Sequence, residues 1–178
     1  AMYYRPDAGG GAYESVRHIN DDVLLGQFVH GMHKWGSSVM VILVCLHMAR
    51  TFFFGAYKYP RELNWVIGVA LLVLTFIMSF TGYLLPFDQR SFWATVVGNN
   101  VNGTAPLIGP YLADFLMGGA EFNTATLSRF YSIHMLVVPS IIAAMMGAHL
   151  WLVVKLGTTA PPWIKPKRPD TPDREVAA

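Results

Sequence analysis

The sequence contains little charge and almost no cysteine. Only 13% of its 178 residues are Asp, Glu, Lys or Arg, which is about half the share in an average soluble domain. The formal net charge of +2 is too small to indicate a nucleic-acid-binding protein. The one cysteine, Cys45, leaves no partner for a disulfide within this sequence. It lies in an apolar run, where a free cysteine usually packs as a small side chain.

The sequence is instead rich in hydrophobic residues, which make up 53% of the chain and give it a mean hydropathy of +0.38. Three runs are long enough to span the roughly 30 Å hydrocarbon core of a bilayer. We predict spans at 33–56, 64–85 and 130–155, which contain no Asp or Glu. Tryptophans near their ends are typical of membrane–water interfaces. The predicted fold class is therefore an all-α transmembrane helical bundle.

The predicted organisation has three parts. An external lead-in covers 1–31, a transmembrane domain covers 32–157, and a charged, proline-rich tail covers 158–178. The loop 86–129 is long for a bundle connection, and we expect it to hold short helices on the membrane surface.

Charge predicts the orientation of the bundle. The loop between the first two spans is basic, with Arg50, Lys58 and Arg61, and such loops usually face the cytoplasm. The C-terminus is then cytoplasmic, in a bacterial inner membrane, and the lead-in is outside. Residues 1–32 are not a secretory signal, because they have no long apolar region and no basic start. We therefore expect a further transmembrane helix upstream of Ala1.

Four histidines lie in two pairs within the first and third spans. His33 and His47 are fourteen residues apart, and His134 and His149 are fifteen apart. Fourteen helical residues rise about 21 Å over nearly four turns, so each span carries two histidines along one face. Ionisable residues at this depth are costly and indicate function by default.

Topology predicts which histidines meet. One span separates the two histidine-bearing spans, so these run in the same direction, and His33 should face His134 on the outer side while His47 faces His149 on the inner side. Two stacked imidazole pairs suit two bis-histidine haems. Hydrogen bonding between helices and a transition-metal path are the alternatives, but metal sites usually add carboxylate or thiolate ligands.

Glycines repeat the same interval. Gly68 and Gly82 on the middle span are fourteen residues apart, and Gly147 lies near His149. Glycine permits the close backbone approach that a flat haem needs. Packing of small residues between membrane helices is the alternative interpretation.

Several longer motifs carry a family resemblance. The chain resembles the N-terminal half of cytochrome b, in the split form called cytochrome b6, from about Tyr3 to Pro162. The matching stretches are YYRP at 3–6, HKW at 33–35, LHMAR at 46–50, PRELNW at 60–65, TGYLLPFDQRSFWA at 81–94 and TLSRFYSIH at 126–134. The fifteen-residue interval is also similar to the b6 form. In that family YYRP follows the first transmembrane helix, which agrees with a helix upstream.

The resemblance implies two b haems, an outer one held by His33 and His134 and an inner one held by His47 and His149. It implies a subunit of a quinol–cytochrome c or plastocyanin reductase that carries electrons across the membrane and couples this to proton translocation. The partners it implies are a C-terminal cytochrome b half, an iron–sulfur protein and a c-type cytochrome in a dimeric complex. The chain alone would not be a complete enzyme.

The resemblance also suggests roles around the haems. Arg50 and Arg61 match positions that could face propionates of the inner haem. Alternatively, each could act only as a positive charge in a cytoplasmic loop. The family usually has arginine where His30 stands, near a propionate of the outer haem, so His30 would act there only when protonated. A covalent extra haem c would need a cysteine on the first helix, and Cys45 is elsewhere, so the sequence leaves that haem undecided.

The sequence is also compatible with other functions. Within the same class, the chain could be the membrane haem b anchor of a quinone-linked dehydrogenase. From other classes, it could be a metal transporter or a structural membrane subunit. The sequence does not identify the quinone or the final electron acceptor.

Overall fold

The computed structural model describes residues 2–119 and 121–159, and every regular element in these ranges is helical. The elements are α1 (Gly11–Asp21), α2 (Gly26–Phe53), α3 (Glu62–Tyr83), α4 (Gln89–Gly103), α5 (Gly109–Met117), α6 (Thr124–Ser132), a π-helical turn (Ile133–Val137) and α7 (Val138–Leu156). The predicted all-α fold is confirmed. From position 160 onward, the predicted tail lies outside the described residues.

Three helices are long and apolar enough to cross a membrane. They are α2, α3 and the continuous 33-residue helix Thr124–Leu156, which joins α6, the π-helical turn and α7. Helix α2 begins at Gly26, before the predicted span 33–56, because the sharp turn after α1 sets its start. Leu25 has a left-handed φ of 58°, and a Cβ at Gly26 would overlap the Ile19 carbonyl oxygen.

Helices α4 and α5 occupy the predicted loop 86–129, and side chains cap the elements at its two ends. Asp88 accepts a hydrogen bond from the Ser91 amide at 2.7 Å and starts α4. Asn123 and Thr126 form a reciprocal capping box at the start of α6. Such caps satisfy amide groups that a helix leaves free, so they fix where α4 and α6 begin.

The buried core lies at one end of the bundle. It is formed by side chains from α1, the end of α3, α5 and α6, namely Ala12, Leu84, Leu116, Leu127 and Phe130. The N-terminal segment is tied to the same end, because the Tyr4 hydroxyl donates to the Leu85 carbonyl at 2.8 Å. By contrast, little of the surface of the long apolar helices is covered within this chain.

The three long helices are not packed evenly. Helix α3 packs closely along α7 and touches α2 only lightly, while α2 and α7, both described throughout, have no Cα atoms within 8 Å of each other. A gap therefore runs between α2 and the helix Thr124–Leu156, on the side where both carry their histidines.

Candidate functional site

The structure brings the four histidines together as two pairs across this gap. The rings of His33 and His134, here called the first pair, have centroids 6.1 Å apart and planes inclined by 85°. Those of His47 and His149, the second pair, are 6.3 Å apart and inclined by 77°. These are the partners that the parallel direction of the two spans predicts.

The spacing within each pair fits one metal ion held between two imidazoles. A metal–imidazole bond is about 2.0 Å long, so two such rings on opposite sides of an ion have centroids roughly 6 Å apart. Among the described residues, no three His, Cys, Asp or Glu side chains cluster as a metal site. A bare ion would lack ligands at either pair, whereas a haem iron would take only two ligands from the protein.

The first pair is supported closely by α3. The Nδ1 of His134 lies 3.0 Å from the Met78 carbonyl oxygen. Because a carbonyl only accepts, this nitrogen carries the hydrogen, and Nε2 is left with its lone pair free to bind a metal. Thr81, which is buried, lies 3.4 Å from the same nitrogen. A Cβ added at Gly82 would lie 2.8 Å from His134 Nδ1, so only glycine leaves the ring this position.

The second pair has looser support. A Cβ added at Gly68 would meet His149 at 3.4 Å, an ordinary van der Waals distance. Both rings of the pair line a cavity of about 150 Å³ that also includes Asn64 and Arg50. The Nδ1 of His149 is buried without a hydrogen-bond partner. At Gly147, the other predicted glycine, a Cβ would have nothing within 4 Å.

The unequal histidine intervals are reconciled by the π-helical turn. His134 lies within Ile133–Val137, and a π-helical turn holds about one residue more than an α-helical turn. The fifteen residues from His134 to His149 therefore cover nearly the same turns as the fourteen from His33 to His47. This insertion lets both pairs face each other across one gap.

Two of the other predicted residues are engaged within the chain. The guanidinium of Arg61 donates to the end of α7, from Nε to the Gly157 carbonyl at 3.1 Å and from Nη1 to Thr159 Oγ1 at 2.8 Å. His30 Nδ1 lies 2.8 Å from the Asn20 side-chain oxygen on α1. Arg50 lines the cavity and lies over the Phe54 ring at 5.3 Å.

Sequence reasoning missed Asn64, Met78 and Thr81, all on α3. One signal could have found two of them: Asn64 and Met78 are fourteen residues apart and precede Gly68 and Gly82 by four residues each. On a helix this spacing places the carbonyl one turn below the glycine, next to the ring that the glycine admits.

Comparison with known proteins finds similarity to cytochrome b and cytochrome b6. A family model described as cytochrome b(N-terminal)/b6/petB matches residues 38–174. The cytochrome b subunit of menaquinol:cytochrome c reductase from Geobacillus thermodenitrificans is 42% identical over 161 residues, covering 90% of this chain and 71% of the relative. Cytochrome b6 from Heliobacterium modesticaldum is also 42% identical, and 75% of its length is covered.

A solved structure described as a hyperthermophilic respiratory Complex III has the same fold. It superposes with a TM-score of 0.82 at 29% sequence identity over 95% of this chain. The chain spans 46% of the length of that solved chain. The match thus extends over nearly all of the helices described above, including those that carry the histidine pairs.

Proposed function

This chain belongs to the cytochrome b N-terminal/b6 family, and from that membership we propose that it is the di-haem subunit of a cytochrome bc/b6f-type complex. It is an integral membrane protein with three helices able to cross the bilayer. The observation that carries the proposal is the pair of imidazole–imidazole spacings, 6.1 and 6.3 Å, at two levels of one gap. Relatives named as reductase subunits favour this function over a dehydrogenase anchor.

In this proposal His33 and His134 hold one b haem, and His47 and His149 hold the other. When bound, the haems supply one-electron redox chemistry at two depths of the membrane. The role of the protein would be to hold each iron between two imidazoles, so that the haem would serve electron transfer rather than substrate binding. The Met78 carbonyl accepts the Nδ1 hydrogen of His134 and so leaves its Nε2 as the nitrogen that would bind the iron.

The basic residues near the second pair divide into two roles. Arg61 secures the end of α7 through three of its nitrogens. Arg50 also lines the cavity, and we assign it to the carboxylates of the haem held by the second pair, since charge-assisted bonds suit arginine. These cations and the positive-inside rule support a cytoplasmic position for the second pair and for the C-terminus.

The proposed partners follow from the relatives. The relative from Geobacillus thermodenitrificans is named for menaquinol and cytochrome c, so we infer that a quinol is oxidised in the complex and a c-type cytochrome is reduced. A C-terminal cytochrome b half and an iron–sulfur protein complete the dimeric assembly in a bacterial inner membrane. Electrons cross the membrane between the quinol-oxidising and quinone-reducing sites, and this transfer is coupled to proton translocation.

Haem content tests the proposal. The purified complex should contain two b haems per copy of this chain in a reduced-minus-oxidised spectrum. His47→Ala should lower this to one, because the remaining pair is about four helical turns away. His18→Ala is the matched control, since His18 is exposed and pairs with Asp22 on α1. A complex without b haem, or loss of both or neither haem in His47→Ala with the helices intact by circular dichroism, would contradict the proposal.

A further inference from the structure

Two buried polar atoms at the second pair lack hydrogen-bond partners. One is Nδ1 of His149 and the other is Oδ1 of Asn64. Both residues line the same cavity. Buried polar groups in native proteins are nearly always hydrogen-bonded, and each exception calls for an explanation. One of these two atoms is a donor when the histidine binds metal through Nε2, and the other is an acceptor.

At the first pair, the corresponding histidine nitrogen has a hydrogen-bond acceptor. There the backbone carbonyl of Met78, four residues before Gly82, accepts the Nδ1 hydrogen of His134 at 3.0 Å. The corresponding residue before Gly68 is Asn64. Its backbone carbonyl faces the His149 ring, but no acceptor meets His149 Nδ1 with the distance and angle of a hydrogen bond. The backbone carbonyl is therefore a weaker partner for the histidine at the second pair than at the first.

Asn64 offers a second acceptor at this place, its side-chain amide. The charged neighbour that precedes it in the cavity wall, Arg61, directs Nε, Nη1 and Nη2 to Gly157, Thr159 and Leu156. The guanidinium is thus held by the end of α7, and His149 Nδ1 makes no hydrogen bond of normal distance and angle. The amide oxygen and the imidazole hydrogen are complementary.

We propose that the Asn64 side chain accepts the Nδ1 hydrogen of His149 and acts as a positioning residue that lowers the reduction potential at the second pair. The inference rests on the proposed function, in which His149 is a haem ligand. An acceptor on the outer nitrogen orients the imidazole and raises its basicity. A more basic ligand stabilises the oxidised iron, so removing the acceptor raises the potential and an anionic acceptor lowers it.

A redox titration of the haem-loaded complex tests this proposal with Asn64→Leu and Asn64→Asp. We expect Asn64→Leu to raise the midpoint potential of one haem and Asn64→Asp to lower it, while the other haem stays unchanged. A tenfold change in the reduction equilibrium corresponds to about 59 mV for one electron. Leu63→Ala, on the exposed side of the same turn, is the control and should leave both potentials unchanged.

The rise in Asn64→Leu is the result that tests the hydrogen bond, because the charge introduced by Asn64→Asp also lowers the potential through space. Unchanged potentials in both variants would overturn the proposal and assign the role to the Asn64 backbone carbonyl. Shifts of the same sign would also overturn it. Absence of two b haems from the unmodified complex would refute the proposed function itself, which separates the two failures.

Discussion

The two histidine pairs have the same design and different surroundings. At the first pair, α3 supplies Gly82, where an added Cβ would lie 2.8 Å from Nδ1 of His134. It also supplies the Met78 carbonyl, which lies 3.0 Å from the same nitrogen. At the second pair the glycine contact is 3.4 Å, the histidine Nδ1 has no partner, and a cavity of about 150 Å³ adjoins the rings. The first pair is also next to the buried core of the chain.

This difference shows that the spacing of the histidines in the sequence does not determine how tightly their rings are packed. The interval places imidazoles at two depths, but packing decides how firmly each ring is held before a cofactor binds. Close packing leaves little room for adjustment, so the first pair is preorganised by the protein. The second pair depends more on what occupies the cavity and on a single polar side chain.

The largest expected effect comes from the glycines. Gly82→Ala should displace His134, because the new methyl group has no space beside the ring, and the complex should retain about one b haem per chain instead of two. Gly68→Ala should retain both, since its Cβ would make only an ordinary contact. The measurement is haem per chain from the pyridine haemochrome spectrum. Equal losses from the two variants would remove the contrast between the pairs.

The core beside the first pair gives the next largest effect. Phe130 is fully buried against Phe80, with ring centroids 5.7 Å apart. Phe130→Ala should lower the free energy of unfolding by about 3–5 kcal/mol, the usual cost of such a cavity. Phe53→Ala, at a site 76% exposed in this chain, should change it by about 0.5 kcal/mol or less.

Unfolding of the purified protein in mixed detergent micelles, followed by circular dichroism, measures both free energies. If Phe53→Ala cost as much as Phe130→Ala, the stability of the chain would not be concentrated at the first pair.

Much of this arrangement could be predicted from the sequence. Hydropathy predicts three spans, because about twenty apolar residues are needed to cross a bilayer. The pairing of His33 with His134 follows from the direction of the spans alone. The start of α2 at Gly26 could not be predicted, since a tertiary contact between Gly26 and the Ile19 carbonyl sets it.

The support of the rings was harder to predict than their pairing. The acceptor at Met78 is a backbone carbonyl, which every residue has, so its side chain carries no signal of the role. Arg61 looks like any cation in a basic loop, yet it binds the end of α7. Such roles depend on which helix ends meet in space, and a single sequence does not contain that information.

The smallest expected effect concerns polar contacts at the two ends of the bundle, where Asp7 and Arg61 make hydrogen bonds to the backbone. At the first-pair end, the Asp7 carboxylate accepts from the Gly9 amide at 3.0 Å and the Gly11 amide at 3.2 Å. The hydrogen bonds from Gly9 and Gly11, together with Thr124 and the charge of Arg5, hold the pKa of Asp7 below its ordinary value. At the other end, Arg61 holds the Gly157 carbonyl and stays charged at any working pH.

Because the pKa of Asp7 is lower in the folded chain, its contribution to stability is complete above the unfolded pKa of 3.8 and disappears as pH falls through the folded value. Hydrogen exchange, corrected for intrinsic rates and followed as the pH is lowered from 6 to well below 3.8, should therefore show falling protection of the Gly9 and Gly11 amides. The Gly157 amide, bonded to the Val153 carbonyl at 2.9 Å, should keep its protection. Asp7→Asn should abolish the pH dependence at Gly9 and Gly11, because the amide does not titrate. Equal loss at Gly157 would mean that acid loosens the whole bundle rather than the end that Asp7 secures.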